Sequence, residues 1–252
     1  MIKTYNMKQE YTYWLALANA ENIYTRRKNE ILAKIHEDNS SLAHFFTEEN
    51  NWKSSFDLSQ DEIQSLLQEK EKLNNYSFIV EDLLEQGYQI IPIFSSSYPK
   101  ALKKNLKFLS PILIYAYGNV ELLNKESVAI VGSRNANATS LNFTDNIASL
   151  SASDGLVVVS GYAKGVDRQA LDSAIRNGGS SIIVLPQGIT TFGSGYKTLY
   201  KEIASGRVLV ISTFRPNAGW DKGLAMARNQ YIYGLAEKIF VAESDSKGGT
   251  YS

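Results

Sequence analysis

The order of apolar and polar positions changes character near residue 88. Before it, apolar residues recur three and four positions apart in "YTYWLALANAENI" and "TRRKNEILAKIHE", the spacing of one buried helix face. "LSQDEIQSLLQEKEKL" adds a start signal: Ser59 with Glu62 three residues on predicts a reciprocal capping box. "YSFIVEDLLEQG" runs to Gly87, a residue type that ends helices because it takes left-handed backbone at no steric cost. Residues 1–88 thus predict a small helical domain whose charges form a solvated face.

After residue 88 the pattern becomes one of short apolar runs. "YQIIPIF" (Tyr88–Phe94) and "ILIYAYG" (Ile112–Gly118) are strand candidates on either side of a segment with Lys100, Lys103, Lys104 and Lys107 at near-helical spacing. From Ser127 a regular alternation begins. Strand-like runs at Val128–Val131, Leu156–Ser160, Ser181–Leu185, Val208–Ile211 and Lys238–Ala242 enclose helix-like stretches near 138–152, 165–177, 196–205 and 221–235. Apolar runs without period-two alternation, separated by helices, predict a mostly parallel sheet covered on both faces. The expected architecture is a Rossmann-like, doubly wound α/β domain over residues 89–252, preceded by the helical domain.

Composition adds exclusions. The chain has 252 residues, no cysteine and zero formal net charge. Disulfides, thiolate metal sites and a cysteine nucleophile are ruled out, in keeping with a cytoplasmic protein. No apolar run is long enough to span a membrane, and "MIKTYNMKQEYTYW" is not a secretion signal. Residues 126–252 carry 12 Lys/Arg against 10 Asp/Glu, so any affinity for nucleic acid must be local. The two histidines, His36 and His44, lie in the helical region, away from the strand ends. No serine–histidine pair, metal-ligand cluster or phosphate-loop motif appears, and "GSRNAN" does not complete a dinucleotide fingerprint. No cofactor, metal or catalytic residue is expected.

In an open α/β sheet, ligands sit beyond the carboxyl ends of the strands. Those ends read Gly132-Ser133-Arg134, "SGYAKGVD" (Ser160–Asp167), "PQGITTFGSGYK" (Pro186–Lys197), "TFRPNAGWDKG" (Thr213–Gly223) and "ESDSKGGTYS" (Glu243–Ser252). Glycine recurs in each. Arg134, Lys164, Arg168, Lys197, Arg215, Lys222 and Lys247 outnumber Asp167, Asp221, Glu243 and Asp245. Glycine alone has a structural explanation in tight βα turns, but its conjunction with cations points to a phosphate-rich ligand. Phe192, Tyr196, Phe214 and Trp220 lie on these tips as candidates for packing or for base stacking.

Four ordered segments, "VAIVGSRNAN", "GLVVVSGYAKGVDRQALDSAI", "GGSSIIVLPQGI" and "MARNQYIYGLAEKIFVAESDSKGGT", together with "YPKAL" and "PILIYAYGN", resemble the DNA processing protein A family, DprA/Smf. The resemblance covers roughly residues 75–252. It implies an extended Rossmann-like domain that binds single-stranded DNA in DNA uptake, natural transformation or recombination. It also implies loading of a RecA-type recombinase, homodimerisation and no catalysis. Its motif residues fall on Ser133 and Arg134; on Ser160, Gly161, Lys164, Gly165 and Asp167; on Arg228 and Asn229; and on Gly248, Gly249 and Thr250. Gly132 and Lys197 join them from the strand-end reading. Asp167 is expected to cap the 165–177 helix rather than to act as an acid.

The sequence departs from the family pattern at Leu171, where many relatives have histidine, and at Gln230, where many have a second arginine. It departs again at Ser212–Pro216, where they have Ser-Glu-Pro. These mark a divergent member. The resemblance also implies a further helix and strand after Ser252, so a C-terminally truncated chain is expected, with residues 1–88 a degenerate form of the family's small SAM or helix-hairpin-helix-like domain. The alternative reading is a nucleotide sensor, or an enzyme like the nucleoside-monophosphate phosphoribohydrolases on a related fold, with Glu243 as its acid.

Overall fold

A computed structural model describes residues 2–244, with side chains from Lys8 onward, and it divides into two compact units. The first reaches to Phe94 and takes in Leu106–Leu113; the second comprises Ser95–Asn105 and the chain from Ile114 on.

The first unit holds α1 (Ile2–Asn19), α2 (Thr25–Glu37), α3 (Leu42–Thr47), α4 (Asn51–Phe56), α5 (Gln60–Glu71), α6 (Leu73–Glu85) and then β1 (Gln89–Pro92). Its periodic apolar residues form the core, with Leu15, Leu17, Ile31, Leu32, Phe46, Trp52, Leu66 and Leu83 all buried. Phe45 meets Phe46 and Phe56 edge-on at 5.4 and 4.9 Å, and the indole of Trp52 donates to the Phe45 carbonyl at 2.7 Å. The buried polar end of the ring is thereby satisfied. The capping box forms as the spacing predicts: Ser59 Oγ accepts from the Glu62 amide at 3.3 Å, and Glu62 Oε2 accepts from the Ser59 amide at 2.8 Å. Buried Asn29 on α2 donates to the carbonyls of Phe108 and Ser110, which ties that later segment into this unit.

The remaining elements are α7 (Lys100–Leu106), β2 (Leu113–Gly118), β3 (Ser127–Val131), α8 (Ala138–Ser153), β4 (Val157–Ser160), α9 (Val166–Arg176), β5 (Ser180–Val184), α10 (Gly193–Ala204), β6 (Val208–Ser212), α11 (Lys222–Leu235) and β7 (Lys238–Val241). In the second unit the strands lie in the order β2-β6-β5-β4-β3-β7. Every pairing from β6 to β7 is parallel. Among the described strands of this unit, β2 alone runs antiparallel, with Tyr115 opposite Ser212. The unbroken apolar runs account for this: β3, β4 and β6 are buried at every position. Val128, Ile130 and Val158 pack under Ala148 of α8 and Val166, Ala170 and Ala174 of α9. Alanine at these helix positions lets the helices approach closely, and each fully buried Val or Ile contributes about 1.5–3 kcal/mol.

The chain steps in one direction from β3 through β4 and β5 to β6, then returns to place β7 on the other side of β3. That reversal at β3 is a topological switch point. The carboxyl ends of the strands there leave a crevice between connections that diverge.

Candidate nucleic-acid interface

The first tip begins where β3 ends. The Ser133 amide donates to the Glu243 carbonyl after β7 at 2.8 Å, and the Ser133 carbonyl accepts from the Val166 amide at 3.2 Å. Ser133 Oγ accepts from the Asn135 amide, a local turn bond. The backbone is thus pinned from both sides of the switch point, while Arg134 stands exposed. Asn137 caps α8 through the Ser140 amide at 2.9 Å. The Glu243 carboxylate accepts from the Asn137 amide at 3.0 Å. That bond, with a second from Ser140, holds the Glu243 carboxyl below its usual range. The N-terminus of α8 is therefore already met by a carboxylate of the chain itself.

The second tip follows β4. Ser160 is buried and its hydroxyl donates to the Ile130 carbonyl at 2.7 Å, so it joins β4 to β3. Tyr162 takes φ 61°, a left-handed backbone uncommon for a bulky residue. Its ring is held by the Arg168 guanidinium 4.3 Å from the centroid and by Phe192 edge-on at 5.1 Å. Phe192 in turn meets Tyr196, and Tyr196 meets Tyr117. Phe192 and Tyr196 therefore pack as a row of rings. Gly165 has φ 86°, and a Cβ there would run into the Ser133 carbonyl and lie 2.8 Å from that of Arg134. Glycine at this point is what allows the first and second tips to touch.

Between these tips and α11 lies a cavity of about 330 Å³. Gly132, Ser133, Arg134 and Asn135 form one wall; Trp220, Lys222, Met226, Asn229 and Tyr233 form another; Asp167 and Arg228 are among its lining. Asp167 and Arg228 are both buried. Asp167 does not sit at the N-cap of α9, which is Gly165. It lies in the first turn, and its carboxylate accepts from the Gly161 amide at 3.2 Å, with the Ala163 and Gly132 amides also directed at it. Burial pushes its carboxyl up, opposed by the nearby Arg228 charge and these amides. Burial likewise pulls Arg228 below the usual guanidinium range, opposed first by Asp167. Arg228 Nη1 donates to the Val184 carbonyl at the end of β5, at 2.9 Å.

The structure thus brings Gly132, Ser133, Arg134, Arg228 and Asn229 to one cavity, with Gly161 and Gly165 shaping its edge. Lys164 lies exposed on the second tip, and Lys197 is exposed on α10 and does not line the cavity. Gly248, Gly249 and Thr250, with Asp245 and Lys247, fall outside the described residues. Arg168 is engaged with Asp172 at 3.2 Å as well as with Tyr162. Among the described residues, Arg134, Lys164, Lys197 and Lys222 form no ion pair, and no group of three metal-ligating side chains occurs. Sequence reasoning placed Lys222 and Trp220 on a tip but did not assign Met226 or Tyr233 to the site. The signal was present: 222, 226, 229 and 233 recur at helical spacing, on the face that also presents Asn229.

Fold and site together define a Rossmann-like α/β protein with a cation-rimmed crevice at its switch point and no helix, among the described residues, long and apolar enough to cross a membrane. The chain belongs to the DNA recombination-mediator protein A family, whose model matches residues 89–252. It is 30% identical over 181 residues to the DNA processing protein DprA of Streptococcus pneumoniae, covering 71% of this chain and 63% of that protein. It is 26% identical over 252 residues to the protein Smf of Synechocystis, covering 95% and 60%. The chain therefore spans about three-fifths of the length of these relatives. The crystal structure of the S. pneumoniae protein aligns with TM-score 0.77 at 23% identity over 94% of this chain and 80% of that one, a likeness of fold. A DNA processing protein A from Helicobacter pylori, solved for its unique single-stranded DNA binding mode, aligns with TM-score 0.53 at 27% identity over 65% and 72%.

Proposed function

We propose that this chain binds single-stranded DNA along the carboxyl edge of its sheet, as a non-catalytic DNA processing protein acting in uptake, transformation or recombination. The observation that carries the reading is the meeting of the Gly132-Ser133-Arg134 tip with Lys222 and Asn229 around one cavity at the switch point. Arg134 suits a phosphate because its planar guanidinium offers paired donors. The kinship with a protein studied for single-stranded DNA binding adds support. Cytoplasmic location, homodimerisation and transfer of the strand to a RecA-type recombinase belong to the same proposal, on the family resemblance. The phosphoribohydrolase alternative draws no support from Glu243. The Asn137 amide, at 3.0 Å, and Ser140 hold its carboxyl below the usual range, the direction away from a proton donor.

The test is fluorescence anisotropy with a single-stranded oligonucleotide across a salt series. If Arg134, Lys164, Lys197 and Lys222 each meet one phosphate, affinity falls about 50-fold between 50 and 200 mM salt, from a slope of about −0.7 per contact. Arg134→Ala reduces the slope by about 0.7. Binding indifferent both to salt and to this substitution overturns the proposal.

A further inference from the structure

Two buried charges lie beneath the exposed cations, and phosphate contact gives neither an evident role. Asp167 is 6% exposed and Arg228 is 5% exposed. Burying a charge is costly until partners offset it, and apolar residues of like volume are often the more stable choice. Their partners indicate what the two charges achieve. Asp167 accepts from the Gly161 amide at the end of β4, and the amides of Ala163 on that tip and of Gly132 at the end of β3 are also directed at it. Arg228 reaches from α11 to the Val184 carbonyl at the end of β5. Its guanidinium fills the space that a Cβ on residue 161 would need. Arg228 Nε has no hydrogen-bond partner among the described residues, a loss that a pair selected for strength alone would avoid.

We propose that Asp167 and Arg228 are positioning residues. They form a buried strut that fixes the carboxyl ends of β3, β4 and β5 against one another, so that Arg134 and Lys164 present their charges at set spacing. Its effect on binding rests on reading this edge as a strand interface; the strut itself does not.

Two measurements on the full chain test it. The first is amide hydrogen exchange at Gly132, Gly161 and Ala163. Asp167→Asn offers one acceptor oxygen where the carboxylate offers two, so these amides exchange at least about tenfold faster while those within β5 keep their protection. Unchanged exchange overturns the strut. The second is anisotropy with single-stranded oligothymidylate. Removing a negative charge beside cations should tighten binding if only the local field matters. The strut requires the opposite, with D167N weaker by about tenfold, the scale of one lost charge-assisted hydrogen bond. Arg228→Lys keeps the charge but not the planar donor set. It binds as weakly as Arg228→Gln if Arg228 positions, and close to wild type if it holds phosphate through charge alone. Tighter binding by D167N, or wild-type affinity in R228K, refutes positioning. A pair that only stabilised the fold would lower the melting temperature and leave the affinity of folded molecules unmoved. R228K serves where D167N fails to reach the wild-type far-UV spectrum. If the wild type binds no strand, the interface reading falls, while the exchange measurement still decides the strut.

Discussion

Gly161→Ala isolates one packing relation at the centre of the site. Gly161 is not among the positive-φ residues, so alanine meets no backbone penalty there. What it meets is the Arg228 guanidinium, against which the new methyl would overlap. β4 is buried throughout and β5 at every position after Ser180, so the arginine must move. Its bond to the Val184 carbonyl, at 2.9 Å, is then lost, at a cost of about 1.5–3 kcal/mol for a charge-assisted bond. Asp167, 6% exposed, loses its nearby cation in the same step. A buried carboxylate so deprived brings the total to about 3 kcal/mol. In urea, with a slope of about 3 kcal/mol per molar, the midpoint falls by about 1 M. The check is a double-mutant cycle followed by far-UV circular dichroism. In an Arg228→Ala background the methyl has room, and Gly161→Ala should then cost less than about 0.5 kcal/mol. Two results refute the reasoning: a Gly161→Ala protein within 0.5 kcal/mol of wild type, or an equal cost in both backgrounds.

Trp220 is 55% exposed on the cavity wall, so Trp220→Ala should change stability by less than about 0.5 kcal/mol yet weaken strand binding by about 1–3 kcal/mol if the indole stacks on a base; equal affinity removes it from the interface. Burial raises the carboxyl of Asp167 in the folded protein, so the folded state keeps a proton that the unfolded chain has already lost. Its contribution to stability therefore falls as pH rises from the ordinary carboxylate range through the raised value. The stability of wild type minus that of Asp167→Asn, from urea midpoints at successive pH values, should decline over that interval; a flat or rising difference counts against it.

The elements were legible because burial leaves a local mark. Strands covered on both faces carry unbroken apolar runs, and all seven sequence candidates became strands, with ends shifted by a residue or two. The antiparallel setting of β2 and the return of β7 beside β3 were not legible, since strand order is a long-range outcome that no window encodes. The same limit applies to residues 106–113. Lys107 reads as part of a segment of near-helical spacing and Ile112 as the start of a strand, yet these residues join the helical unit, where buried Asn29 donates to two of their carbonyls.

At the site, several of the glycine-rich tips meet around one cavity, in part for a reason other than phosphate contact. Glycine at a strand end suggests amides open to a phosphate. Here the Gly161 amide is given to Asp167, and that of Gly132 is also directed at it. The lack of a side chain serves packing instead: Gly161 makes room for Arg228, and Gly165 lets the first tip touch the second. Ser160 likewise spends its hydroxyl on Ile130. The motif thus divides, in three dimensions, into residues exposed at the rim, which the proposal assigns to the strand, and residues behind them, most of them buried. Arg134 and Lys164 are exposed and belong to the first set. Ser160, Gly161, Gly165, Asp167 and Arg228 belong to the second. Composition alone cannot separate the two sets, because an arginine reads as a cation whether it meets solvent or a carbonyl in the core.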